Sequence, residues 1–210
     1  MNKKCKVITF SRSKTPNYFN YSLGSVELQR QTLFKDLGIW FDAELTFVNH
    51  IEIRVNRAMK LLGFVFRTLR EFDNIFVFKE LYCAIVRSVL EYGSCIWQPF
   101  YKIHKDRIEG VQRRFLRRIA TKLNIPFEEI NHDEFMKLMN LTLENRKVFF
   151  DISTLYKIAN SLVDAPELLS QVGFRIPPFN SRSKSLFNVT FHRTNYGINS
   201  PLSRMCVTDK

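Results

Sequence analysis

The stretch Lys105-Asp106-Arg107-Ile108-Glu109-Gly110-Val111-Gln112-Arg113-Arg114-Phe115-Leu116-Arg117-Arg118-Ile119-Ala120-Thr121-Lys122-Leu123 sets two unlike faces back to back at the period of an α-helix. Ile108, Val111, Phe115, Ile119 and Leu123 recur at three- and four-residue spacing, which predicts a helix seated on a core. Arg107, Arg113, Arg114, Arg117 and Arg118 fall on the opposite side. Like charges this dense destabilise an isolated helix by about 0.2–0.5 kcal/mol per i,i+4 pair, so an anion that neutralises them is favoured, and phosphate oxygens suit guanidinium forks. A solvated basic face balanced by acidic residues downstream is the other reading of the pattern.

On both sides of this stretch the chain is also helical in period. A helix predicted over about Ile75 to Gln98 carries Phe78, Leu81, Tyr82, Ile85, Val86, Val89, Ile96 and Trp97 over a broad arc. Only Glu80, Arg87 and Glu91 mark a polar strip, so this element should be central, and Pro99 stops it. From about Thr46, the residues Ile51, Val55, Ala58, Met59, Leu62, Phe66 and Leu69 share one arc, with Arg57, Lys60 and Arg67 opposite. Downstream, Pro126 breaks the pattern, and Asn131 with Glu134 resembles a capping box for a helix through Leu141. Further helices are expected over Leu143 to Leu162 and, opened by Pro166, over Glu167 to Gln171.

The two ends read differently. Lys6 to Phe10 alternates, Tyr18 to Leu23 and Val26 to Gln31 flank a Gly24-Ser25 hairpin signal, and Leu37, Ile39 and Phe41 alternate before Asp42. After Gly173 the pattern turns extended, with Pro177-Pro178, a strand over Leu186 to His192, and turns at Asn195-Tyr196-Gly197 and Asn199-Ser200-Pro201. The expected class is α+β, mostly α: short N-terminal antiparallel strands and a hairpin over 1–42, a helical bundle over 43–172, and an extended C-terminal segment over 173–210.

Composition bounds the function. The 210 residues include 20 Phe and are 45% hydrophobic, far too apolar for a disordered chain. The net charge of +12 is unevenly spread. Residues 103–124 hold seven cations against two anions, whereas 125–172 hold four against eight, which argues for oriented electrostatics and an anionic partner. No stretch is long and apolar enough to span a membrane, and the start, where Val7-Ile8 is soon followed by Arg12 and Lys14, lacks an apolar signal core. The expectation is therefore a chain that is not secreted, with cytoplasm and nucleus both open. Cys5, Cys83, Cys95 and Cys206 show no paired spacing and read as reduced thiols.

Motifs for chemistry are sparse. The seven glycines form no phosphate loop, the four histidines are far apart with no metal-ligand spacing, and no Asp-Asp dipeptide occurs. Ser11, Ser94 and Ser153 lack a nucleophile elbow, although a triad can assemble from distant positions.

Several blocks, in order, carry a resemblance. Lys35-Asp36-Leu37-Gly38-Ile39-Trp40-Phe41-Asp42 is followed by Leu45-Thr46-Phe47 and His50-Ile51. Leu81-Tyr82, Val86 to Ser94 and Ile96-Trp97-Gln98-Pro99 come next, then Ile108-Glu109 with Val111 to Phe115, and finally Arg193 to Gly197 with Asn199-Ser200-Pro201. This series resembles the reverse transcriptases of non-LTR (LINE-type, jockey-like) retrotransposons over nearly the whole chain. The resemblance implies that Lys4 to Phe10 corresponds to the strand after the catalytic aspartates at the end of the palm. It places the Tyr18–Gln31 hairpin where the primer grip lies, and the helices from Thr46 onward as the thumb and its neighbour.

The resemblance implies an RNA-directed DNA polymerase fragment that lacks the catalytic aspartates. The two-magnesium clamp would belong to the complete polymerase, so neither catalytic nor metal-binding residues are expected in this chain. The fragment would retain contact with the phosphates of RNA, DNA or an RNA-DNA duplex through Lys4, Lys6, Arg57, Lys60, Arg107, Arg113, Arg114, Arg117 and Arg118. Lys4 matches the lysine that such polymerases place near the incoming nucleotide. Two alternatives stand beside this: a non-catalytic helical module for a protein partner or an anionic membrane surface, and a decayed retroelement product with no function.

Overall fold

The computed structural model describes residues 5–124, 142–176 and 186–207. Lys4, the helix expected from Asn131 through Leu141, and the Pro177-Pro178 part of the extended stretch lie outside the described residues. The chain divides into two compact units, Met1–Arg57 and Ala58–Lys210. The class is α+β and mainly helical, as its composition and periodicity imply.

In the first unit, six short strands form three two-stranded ladders. β2 (Ser22–Leu23) and β3 (Val26–Glu27) pair antiparallel about Gly24, whose φ of 65° supplies the expected glycine turn. β1 (Lys6–Val7) and β4 (Gln29–Arg30) pair in parallel, Lys6 against Gln29, so not all the strands here are antiparallel. β5 (Leu33–Asp36) and β6 (Ile39–Asp42) form a second hairpin, with Phe34 opposite Phe41 and Lys35 opposite Trp40. The alternation read across Leu37, Ile39 and Phe41 is thus interrupted. Leu37 is 82% exposed at φ 43°, and Gly38 follows at φ 85°, a two-residue turn with both central residues left-handed. Leucine at positive φ costs of the order of 1 kcal/mol, and asparagine is the usual occupant, which is why the turn carries no sequence signal.

Asp42 then starts the next element. Its carboxylate accepts from the amides of Thr46 (2.8 Å) and Phe47 (2.7 Å), closing the loop ahead of helix α1 (Val48–Thr68). The opening turns of α1 belong to this unit: Trp40 N–H donates to His50 Nδ1 at 3.1 Å, and Arg54 Nη2 donates to the Gly38 carbonyl at 2.8 Å. The buried His50 therefore sits in the hairpin as a neutral acceptor, and burial, with Arg54 beside it, lowers its pKa to about 4.

The second unit holds the main core. The single helix expected over Ile75 to Gln98 is a broken one: α2 (Ile75–Leu81) runs into a π-helical turn over Tyr82–Arg87, then α3 (Ser88–Glu91), and α4 (Ser94–Trp97). Gly93 at φ 66° makes the break before α4, a left-handed step that interrupts the helix before Pro99 is reached. Asn74 caps α2 by accepting from the Phe76 amide at 2.9 Å. Helix α5 (Lys102–Lys122) packs its Phe115 against this element, with Tyr82 and Phe115 stacked at 4.3 Å and Phe66 of α1 5.9 Å from Phe115. Tyr82, Val86, Leu90 and Trp97 are all buried, so the centrality read from the broad apolar arc holds despite the break.

Helix α6 (Leu143–Ala159) is capped by Thr142, whose hydroxyl accepts from the Asn145 amide at 3.0 Å; α7 (Pro166–Leu169) comes after it with proline in its first turn. The C-terminal segment does not stay extended. β7 (Gly173–Phe174) pairs antiparallel with β8 (Phe187–Asn188), and the residues read as turns become α8 (Asn195–Ile198) and α9 (Pro201–Val207). α9 returns to the core because Arg204 clamps Asp151 through Nε (2.7 Å) and Nη2 (3.1 Å) and donates to the Cys95 carbonyl at 2.7 Å. Met205 and Cys206 are buried beside Leu155 and Val172.

These ties can be tested by unfolding. Asp151 is buried, so Asp151→Ala should strand the Arg204 guanidinium and cost about 3–5 kcal/mol in urea unfolding. His50 binds its proton more weakly folded than unfolded, so stability is fully present above about 6.5 and falls as pH drops toward about 4. Unfolding titrations of wild type and His50→Gln across that window should show the loss in the wild type alone.

Candidate nucleic-acid interface

Helix α5 presents its two faces as the sequence implies. Ile108, Val111, Phe115 and Ile119 are buried, together with Leu116, Ala120 and the polar Gln112, which the periodicity did not mark. Leu123 lies past the helix end and is exposed. Arg107, Arg113, Arg114, Arg117 and Arg118 are all solvent-facing.

The edge of α5 toward α1 gathers several of the expected cations. Arg114 Nη1 reaches Met59 Sδ at 3.8 Å, and the Arg118 guanidinium lies 5.3 Å from the Phe66 ring centre. Both therefore rest on α1, where Lys60 and Arg67 are exposed one residue past Met59 and Phe66, about 100° further round the helix. The guanidinium stems cover apolar surface while their charged planes stay in water. Arg113 is drawn along its own helix, donating to the Asp106 carbonyl at 3.1 Å. Lys122, which the sequence pattern did not single out, is tied to Asp73 (3.2 Å) and the Arg70 carbonyl (2.9 Å). Lys6 and Arg57 are exposed in the first unit, on β1 and α1 respectively.

The other edge of α5 is where the acidic residues act. Lys105 pairs with Glu144 at 2.5 Å, and Glu109 accepts from the Glu144 amide at 3.1 Å. Glu91 is held by Arg146 in a two-point ion pair. The carboxylates described on α6 are thus engaged with Lys105 and Arg204. Glu128, Glu129, Asp133 and Glu134 lie outside the described residues.

Lys147 is the buried charge that the sequence pattern does not reveal, because it occupies a core position of α6 in line with Asp151, Leu155 and Ile158. Its ammonium lies 5.0 Å from the Trp97 ring centre. Burial lowers its pKa to about 8, against the pull of Glu109, Glu144 and Glu91. Glu109 is raised for the same reason, desolvation, offset by the amides of Glu144 and Leu143 and by Lys147. Among the described residues, no group of three or more His, Cys, Asp or Glu is placed to hold a metal ion, and no helix is long and apolar enough to cross a membrane.

No protein-family model and no solved structure matches the chain. It is similar to an uncharacterized protein of Caenorhabditis elegans, 24% identical over 134 residues, which span 63% of this chain and 66% of that protein.

The Lys147 environment has a measurable signature. Its folded pKa, about 8, lies below the unfolded 10.5, so the unfolded chain binds the extra proton between them and stability rises with pH across that window. At about 1.4 kcal/mol per pK unit the rise is of the order of 3 kcal/mol. Urea unfolding tracked by tryptophan fluorescence should show it in wild type, and Lys147→Met should abolish it.

Proposed function

We propose that this chain is a C-terminal part of a reverse transcriptase of the non-LTR retrotransposon kind, acting as a nucleic-acid-backbone-binding module without polymerase chemistry of its own. The ordered series of sequence blocks from Lys35 to Pro201 supports the family, and the outward guanidinium groups of α5 carry the binding role. Arg107, Arg114 and Arg118 lie along one side of a helix whose rise is about 1.5 Å per residue, a rigid comb of bidentate donors for successive phosphates. Lys60 on α1 and, separately in the first unit, Lys6 and Arg57 are further exposed cations that could meet phosphates. Phosphate contacts of this kind position a protein without reading sequence.

The burial of Phe115, Ile108 and Ile119 favours this over a helix that inserts its apolar side into a lipid surface, since that side is already packed. A protein-interaction role is favoured by a different element: Phe149, Ile152 and Tyr156 form an exposed apolar stripe on α6. Magnesium chemistry would belong to the complete polymerase, and no step here is assigned to a metal.

Binding to a labelled RNA-DNA duplex, read by fluorescence anisotropy, should weaken by about a thousandfold between 50 and 200 mM salt if about six cations meet phosphates. Arg114→Gln with Arg118→Gln should lower the slope of the log-log salt plot by about two. A flat salt response would count against the proposal, as would templated synthesis by this polypeptide in a primer-extension assay with Mg²⁺.

A further inference from the structure

A second constellation, independent of the nucleic-acid reading, lies in the C-terminal segment. A cavity of about 430 Å³ is walled by Gln171, Asn188, Thr190, His192, Ser203 and Cys206. That volume falls in the range of small-molecule sites, and the wall mixes amide and hydroxyl groups with apolar surface from Leu202 and Val189. His192 Nε2 stands 2.9 Å from Ser203 Oγ, and the Ser200 hydroxyl donates to Ser203 Oγ at 3.0 Å. Ser203 Oγ accepts from Ser200, and with His192 in the Nδ1–H tautomer the Ser203 proton is directed at Nε2.

The pair is held from both sides. A Cβ at Gly197 would lie 2.8 Å from Cβ, Cγ and Nδ1 of His192, so the ring occupies space that only glycine leaves open. Ser203 is anchored from its neighbour, because Arg204 is clamped onto buried Asp151. Neither residue stands out in the sequence, where His192 is an isolated histidine and Ser203 has no glycine elbow. The contact spans eleven residues and exists because α8 and α9 fold back on the chain.

We propose that Ser203 is a nucleophile activated by His192, and that the cavity takes small uncharged esters of short acyl chains. Ser203 Oγ bonds to the acyl carbon as the ester C–O bond breaks, and the Oγ proton passes through His192 Nε2 to the departing alkoxide, which leaves as alcohol. Water then attacks the acyl-serine by the same route in reverse, releasing the carboxylic acid and restoring the serine proton.

The full chain is treated with a fluorophosphonate, where Oγ displaces fluoride from phosphorus, and the adduct is mapped by mass spectrometry. Release of p-nitrophenol from p-nitrophenyl acetate is measured in parallel. The expected result is an adduct on Ser203 and ester turnover that Ser203→Ala abolishes and His192→Gln slows at least tenfold. Gly197→Ala, which displaces the ring but keeps both reacting groups, should also slow labelling. Absence of the adduct from Ser203 in the wild-type chain overturns the proposal whatever the variants do. So does labelling in folded His192→Gln at the wild-type rate.

Discussion

The stacking of Phe115 on Tyr82, with Phe66 beside them, is the contact on which the helical unit depends. A helix bearing Arg113, Arg114, Arg117 and Arg118 in two adjacent pairs would repel itself in isolation. It is stable here because its other face is buried, with Phe115 against Tyr82 and Phe66, and each fully buried large side chain contributes about 1.5–3 kcal/mol against a few tenths per like-charge pair. Packing therefore fixes the helix against that repulsion.

That division of labour explains where the charges of the unit go. Around α6, cations and carboxylates are matched: Lys105 of α5 with Glu144, Arg146 with Glu91 of α3, and Arg204 of α9 with Asp151. On the side of α5 that meets α1, the guanidinium groups of Arg114 and Arg118 contact a thioether and a phenyl ring.

How much of the fold was legible depends on the kind of signal each feature leaves. The amphipathic α5, the start of α1, the glycine hairpin at Gly24 and the central apolar helix were readable because periodicity and turn chemistry report them directly. The Leu37-Gly38 turn was hidden by an atypical residue at positive φ, and the break at Gly93 by an apolar pattern that runs through it. The fold-back of the last segment depends on Arg204 finding Asp151 across 53 residues, which no local pattern encodes. The same is true of Lys147 over Trp97 and of His192 against Ser203: each is a tertiary pairing of residues unremarkable where they stand. Of the candidate cations, their exposure was legible, whereas which helix flank they would share was not.

The π-helical turn at Tyr82–Arg87 works as a phase shifter between the two ends of the central element. A π turn holds one residue more than the α-helical turn it replaces, and each residue of an α-helix adds about 100° of rotation. Phe78 before it and Leu90 after it both face the core, yet a continuous α-helix would set them with a different angular offset. Chain length in this turn is thus a register setting, as a gear tooth is, rather than a spacer: the sequence on either side can drift while the count of residues between Leu81 and Ser88 stays meshed with the stack of Tyr82 on Phe115.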